Sequence, residues 1–109
     1  PYSPVRKVIQ AGLPVALASD YNPGSSPSGN MKFIMSLGCI NYKMLPEEVI
    51  NATTLNSAYA MGVEEEAGSI AVGKLANFYI TTPISGIEYL PYAYTADLIE
   101  AIFLKGEQY

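Results

Sequence analysis

The 109 residues make one small domain or a piece of a larger one, and a formal charge of −4 from 6 basic and 10 acidic side chains argues against a nucleic-acid surface. The cations Arg6, Lys7, Lys32, Lys43, Lys74 and Lys105 are scattered, with one adjacent pair. There is no histidine, so no Ser-His-Asp or Cys-His unit can be assembled within this chain.

Near the start, residues 4–11, PVRKVIQA, predict a helix with Ser3 as N-cap, Pro4 in the first position and Gly12 as the stop. Val5, Val8 and Ile9 recur at helical spacing and predict its core face. The short apolar run LPVALA, 13–18, predicts a strand buried on both faces, as in a parallel sheet. A polar loop runs from Ser19 to about Gly29, in which Pro23 and Gly24 occupy the central positions of an expected type II turn. Asn30 then caps a helix through MKFIMSLGCINYK, apolar almost all round and expected to be well buried. A further helix is predicted from Pro46 to a stop at Gly62, with Glu47 and Glu48 in its first turn, where the helix dipole favours them. Leu45 stands where Ser or Thr would cap it, a weakness worth roughly 1 kcal/mol.

Glu64-Glu65-Glu66 reads as a solvated acidic turn. LANFYIT, 75–81, predicts a strand, SGIEYLPYAY an irregular Tyr- and Pro-rich connection, and DLIEAIFLKGEQY a strand with a tight turn at Lys105-Gly106-Glu107. The chain is thus α/β in class, with a small β unit appended to an α/β one. The boundary falls between 1–63 and 64–109.

The stretch SDYNPGSS carries the functional question. At the carboxyl end of a parallel barrel strand, such a loop is where active-site groups sit. Asp20 suits two jobs there, metal ligation with proton transfer, or an Asx turn. Asn22, Gly24 and Ser25 suit a turn and equally suit hydrogen bonding to a ligand. Cys39, on an apolar helix without a histidine partner, reads as a small hydrophobe. The tyrosines around 89, 92 and 94 read as packing between the two units.

GLPVALASDYNPGSSP, together with LPEEVINATTLNSAYAMGVEEEAGSIAVGKLANFYI further on, resembles the C-terminal part of the imidazolonepropionases, a family of the amidohydrolase superfamily. The D-x-N-P-G-S loop is the most specific match. The T-x-N-x-A-x-x-x-G pattern (Thr54, Asn56, Ala58, Gly62) and the turn from Gly68 to Phe78 are shared more widely across the superfamily. The resemblance implies the last strand and flanking helices of a TIM (β/α)8 barrel, plus part of a small composite β-sandwich domain. It implies metal-dependent hydrolysis of 4-imidazolone-5-propanoate to N-formimidoyl-L-glutamate in histidine degradation, with one zinc or iron ion. Asp20 matches the metal-ligating aspartate that takes the proton of the attacking water, and Asn22, Gly24 and Ser25 match substrate-contacting positions. A sibling cyclic amidase or deaminase, or a non-catalytic scaffold module that keeps the fold, is the alternative.

Departures from the family pattern bound these expectations. The family's upstream metal-binding histidines and propionate-holding residues lie outside this chain, and Asn77 stands where many relatives carry Asp, with an altered local hydrogen bond expected. A complete barrel takes ~250 residues, so a C-terminal fragment is expected, weak in metal binding and inactive alone. The start at Pro1 rather than Met suits an engineered start, a processed product and a fragment alike, and does not choose among them. One cysteine rules out an intrachain disulfide, and no apolar run reaches membrane-spanning length. A cytoplasmic protein with a small-molecule substrate, neither nucleic acid nor membrane as partner, and a homodimer at full length complete the expectation.

Overall fold

A computed structural model describes residues 2–109. In order it places α1 (Val5–Gln10), α2 (Met31–Asn41), α3 (Pro46–Thr53), α4 (Leu55–Met61), β1 (Phe78–Thr81), α5 (Tyr89–Tyr92), β2 (Ile99–Leu104) and β3 (Glu107–Gln108).

The core sits where α1, α2 and α3 meet. Val5, Met35, Met44, Val49 and Ala52 are buried there, and Ile9, Val15, Leu17, Cys39, Tyr42, Ile50 and Leu90 pack around them. Gly38 permits the close approach of α2 to α3, since a Cβ at that position would lie 2.8 Å from Val49 Cγ1 and 3.1 Å from Leu17 Cδ1. Asn30 caps α2 as expected, its side chain accepting the Phe33 N–H at 3.2 Å. The burial of α2 is more one-sided than its composition implies. Met35, Ser36 and Gly38 are buried, whereas Ile40 is exposed.

α1 begins at Val5, one residue late, and no side chain caps it; the Val5 N–H instead donates to the Ser3 carbonyl at 2.8 Å. Its stop is as expected: Gly12 takes φ +77°, and the Leu13 N–H reaches back to the Val8 carbonyl. α1 is tied to α3 by Arg6, which donates to both Glu48 carboxylate oxygens at 2.6 and 3.0 Å and also to the Lys43 carbonyl at 3.2 Å. Glu48 accepts the Leu45 N–H at 2.8 Å as well. The carboxylate therefore offsets what the Leu45 side chain cannot do as a cap. The Arg6 hydrogen bonds first, then the Leu45 N–H, hold the Glu48 carboxyl below its ordinary range.

The helix expected from 46 to 62 is broken. Thr54 takes φ −122° and ψ −90°, and the chain resumes as α4. The Thr53 and Thr54 hydroxyls donate back to carbonyls of the preceding turn, at 2.8 Å to Val49 and 2.6 Å to Ile50, and so compete with the helical ladder at this point. α4 ends at Gly62 with φ +70°, the expected stop.

Residues 13–18 differ from expectation. They enter no strand pair, and only one face is covered: Val15 and Leu17 are half-buried, while Leu13, Pro14, Ala16 and Ala18 are exposed. The physical reason is the lack of a neighbouring strand on either side among the described residues. The main chain pairs with α3 and α4 instead.

The last third matches the predicted strands. β1, β2 and β3 form an antiparallel sheet in that order, with Phe78 opposite Phe103 and their rings stacked at 4.9 Å. A bulge falls at Ile80/Thr81. Lys105 and Gly106 both take positive φ, +53° and +85°, as a tight primed hairpin turn requires. Asn77 secures that turn, its Oδ1 accepting the Lys105 N–H at 2.8 Å. The connection expected to be irregular contains one helical turn, α5, with buried Pro91 third of its four residues and still within the first turn, where its missing N–H costs nothing. α5 and residues 93–96 lie on α2: Phe33 meets Tyr94 at 5.3 Å and Lys32 Nζ donates to the Ala96 carbonyl at 2.5 Å. Tyr92 stays exposed. Among the described residues no helix is long and apolar enough to cross a membrane.

Candidate functional site

The loop after residue 18 is built by its own polar side chains. Asn22 and Ser26 exchange main-chain hydrogen bonds, at 2.9 and 3.3 Å, and so close a loop around Pro23, Gly24 and Ser25. Asn22 fills that loop. Its Oδ1 accepts the Gly24 N–H at 3.0 Å, the Ser25 N–H at 2.8 Å and the Ser25 hydroxyl at 3.3 Å. The expected type II turn is not formed, because that turn needs positive φ at Gly24, and Gly24 is not among the positive-φ glycines. The Asn22 side chain takes over the closure. Gly24 has a different role: a Cβ there would press to 3.3 Å from Asn22 Oδ1.

Asp20 sits at the entrance with φ +50°, left-handed backbone that Asp and Asn tolerate better than most residues. The carbonyls on either side are clamped. Ser26 Oγ donates to the Ser19 carbonyl at 3.2 Å, and Asn22 Nδ2 donates to the Asp20 carbonyl at 2.8 Å. The Asx turn of this loop belongs to Asn22, and the hydrogen bonds that close the loop use the Asp20 carbonyl, not its carboxylate. Asp20 is exposed, as are Gly24 and Ser25, with Asn22 half-buried.

All four predicted site residues therefore share one loop, with unequal capacity for a ligand. Asp20 offers a carboxylate, Gly24 its carbonyl, its N–H being given to Asn22, and Ser25 a hydroxyl whose proton is directed at Asn22. Asn22 has its acceptor committed and one of its two amide protons on Asp20, which leaves the other proton as its donor. Asp20 is an oxygen donor of the kind that zinc and iron accept. Among the described residues no three His, Cys, Asp or Glu side chains come together as a metal group, so Asp20 alone does not make a metal site.

Two clefts lie elsewhere among the described residues, and no residue of the loop lines either. A cleft of about 480 Å³ lies on the uncovered side of residues 13–18, lined by Pro14, Ala16, Asn56, Tyr59 and Ala60. A wider, more apolar one of about 570 Å³ lies between α4, the turn around Gly68 and β1. Asp20 lines neither.

Two polar residues behind the segment carry more of the geometry than a sequence pattern reveals. Asn56 Nδ2 donates to the Val15 carbonyl at 2.9 Å, and Ser57 Oγ stands 3.0 Å from the Leu17 carbonyl and 2.7 Å from that of Ala52. The T-x-N-x-A-x-x-x-G pattern thereby resolves into parts. Thr54 breaks the helix, Asn56 reaches residue 15, and buried Ala58 receives Gly68, where a Cβ would come within 2.6 Å of the Ala58 Cβ. Gly62 ends α4. Ser57 lies outside that pattern, and a hydroxyl on a helix otherwise facing an apolar segment is the one signal that marks it. The turn at 64–67 is held by Lys74, whose Nζ donates to the Glu64 and Ala67 carbonyls; Glu65 and Glu66 are exposed, while Glu64 is half-buried. Cys39 is half-buried on the core, and burial first, then the Glu47 and Glu48 carboxylates, pushes its thiol up, away from nucleophilic chemistry.

Known proteins resemble this chain along nearly its whole length. A profile described as "Amidohydrolase family" matches residues 2–106. An imidazolonepropionase of Flavobacterium johnsoniae is 56% identical over 107 residues, covering 98% of this chain and 26% of that protein. One of Streptococcus pyogenes serotype M3 is 43% identical over 106 residues, covering 97% and 25%. The chain spans about a quarter of the length of these curated relatives. The crystal structure of an amidohydrolase from Thermotoga maritima MSB8 superposes with a TM-score of 0.72 at 21% identity, covering 95% of this chain and 24% of that one, which speaks for the fold.

Proposed function

The chain belongs to the amidohydrolase family, and from that premise we propose that it supplies part of the active-site rim of an imidazolonepropionase. That enzyme opens the cyclic amide of 4-imidazolone-5-propanoate to give N-formimidoyl-L-glutamate in histidine degradation. On this reading residues 1–63 end a (β/α)8 barrel and 64–109 contribute to a small β-sandwich. The protein works in the cytoplasm as a homodimer at full length. What supports the specific reaction is the name shared by relatives at 42–56% identity across nearly the whole chain.

The observation that carries the site is Asp20. Its main chain is clamped on both sides, and its carboxylate projects from a loop that other groups hold closed. In the assembled protein this carboxylate would help hold one zinc or iron ion, and would take a proton from the attacking water and return it to the departing ring nitrogen. The ion, when bound, lowers the pKa of water and polarises the ring carbonyl. Gly24 lets the substrate approach the main chain, Ser25 offers its hydroxyl oxygen, and Asn22 its remaining amide proton. Alone, the chain provides one ligand, binds metal weakly and is inactive.

The test is a chimera in which this chain replaces the matching quarter of the Flavobacterium johnsoniae relative. Loaded with zinc or iron, it hydrolyses imidazolone propionate, and Asp20→Asn lowers turnover by roughly 10²–10⁴-fold, the scale of a lost acid–base group. A metal-loaded chimera that folds yet leaves the substrate intact overturns the assignment. Undiminished turnover in Asp20→Asn removes this residue from the mechanism.

A further inference from the structure

We propose that Ser26 is a positioning residue for Asp20, setting the direction of its carboxylate by holding the peptide plane that precedes it. The proposal rests on the role assigned to Asp20 above.

In the assembled barrel a strand ladder sets the register of residues 13–18, but the loops that follow barrel strands lie outside the ladder. From Ser19 onward the loop's own hydrogen bonds govern the main chain. Asp20 needs them. Its φ of +50° is left-handed backbone, which a Cβ disfavours and which persists where the surrounding contacts over-determine it. Two peptide planes meet at its Cα, and their orientations are its φ and ψ. The plane after Asp20 is held from both edges. Its carbonyl accepts from Asn22 Nδ2 at 2.8 Å, and the Tyr21 N–H donates to Ser19 Oγ at 3.3 Å. The plane before Asp20 carries the Ser19 carbonyl, which accepts from Ser26 Oγ at 3.2 Å.

Ser26 suits that task because its own place is fixed. Its carbonyl accepts the Asn22 N–H at 2.9 Å, and its N–H donates to the Asn22 carbonyl at 3.3 Å. Four residues on, Asn30 caps α2, and the Asn30 N–H donates to Ser28 Oγ at 3.2 Å. The hydroxyl therefore reaches back seven residues from a short stretch braced at both ends. Ser26 is half-buried, whereas Ser25 beside it is exposed and turns its proton to Asn22. The two neighbouring serines thus have separate tasks. Without the Ser26 hydroxyl, the Ser19–Asp20 plane is free to turn towards negative φ, which residues with a Cβ favour. The Asp20 carboxylate swings with it.

The test is a cycle of variants in the metal-loaded chimera. Ser26→Ala lowers kcat by roughly tenfold to a hundredfold, the scale of a misplaced reacting group, with KM changed by no more than about twofold. Ser26→Thr, which keeps the hydroxyl, restores kcat. In the Asp20→Asn background Ser26→Ala lowers kcat no further, because a residue acting through the carboxylate has nothing left to position. Undiminished kcat in Ser26→Ala overturns the proposal. So does a loss that multiplies with that of Asp20→Asn, or one that falls on KM alone, which would make Ser26 a substrate contact. Undiminished turnover in Asp20→Asn defeats the reading of Asp20 on which the proposal rests; a loss there with none in Ser26→Ala defeats the proposal alone.

Discussion

Glu48 concentrates several local demands in one carboxylate: it binds Arg6 from α1 through both oxygens, and it accepts the N–H of the Leu45 cap. Its folded-state pKa is lowered, with the Arg6 hydrogen bonds the larger cause. Such a group contributes stability that is present above the unfolded carboxyl pKa of about 4.3 and is lost as pH falls through the folded value. Glu48→Gln should therefore be less stable than the parent at pH 7, with the gap closing below about pH 4 as the parent carboxyl protonates. Urea midpoints across pH measure this, and a gap that persists unchanged at pH 3 would contradict it. In the sequence Glu48 is legible only as a dipole-favoured first-turn acid. Its Arg6 partner lies 42 residues away, and no local pattern joins them.

The same limit of reach holds for the elements. Helix stops at Gly12 and Gly62, the Asn30 cap and both long strands were legible, because each arises from short-range chemistry. The break at Thr54 was not, since two threonines inside a periodic apolar pattern look helical until their hydroxyls choose carbonyls. The segment 13–18 read as a doubly buried strand because its composition is suited to neighbours that the described residues do not provide. Loop 19–26 was legible as a polar loop in its residues but not in its turn, because Asn22 displaced the geometry that Pro-Gly normally sets. The α2–α3 contact gives the sharpest element-scale test. Gly38→Ala places a methyl 2.8 Å from Val49 Cγ1, so overpacking should cost about 1–3 kcal/mol even though Ala is the better helix former. A thermal or urea midpoint raised by the substitution would show that α2 can move away freely.

Across the molecule, the surface is too large for its mass. A folded 11.7 kDa monomer should expose about 5,900 Å², whereas this one exposes 7589 Å². Leu13, Ile40, Met61, Ile70 and Val72 are among the exposed apolar side chains, and the last two lie between Gly68 and Gly73. Apolar surface on this scale drives association. By itself the chain should sediment as oligomers at micromolar concentration and bind an apolar dye such as ANS, whereas a compact, dye-free monomer would mean that these faces are satisfied. The proposed function requires Asp20 to turn its carboxylate to a metal that residues beyond this chain also ligate. Anomalous scattering from crystals of the zinc-loaded chimera decides this. A metal peak is expected about 2.0–2.2 Å from an Asp20 carboxylate oxygen; a fully occupied metal with Asp20 outside its coordination shell would refute the assignment.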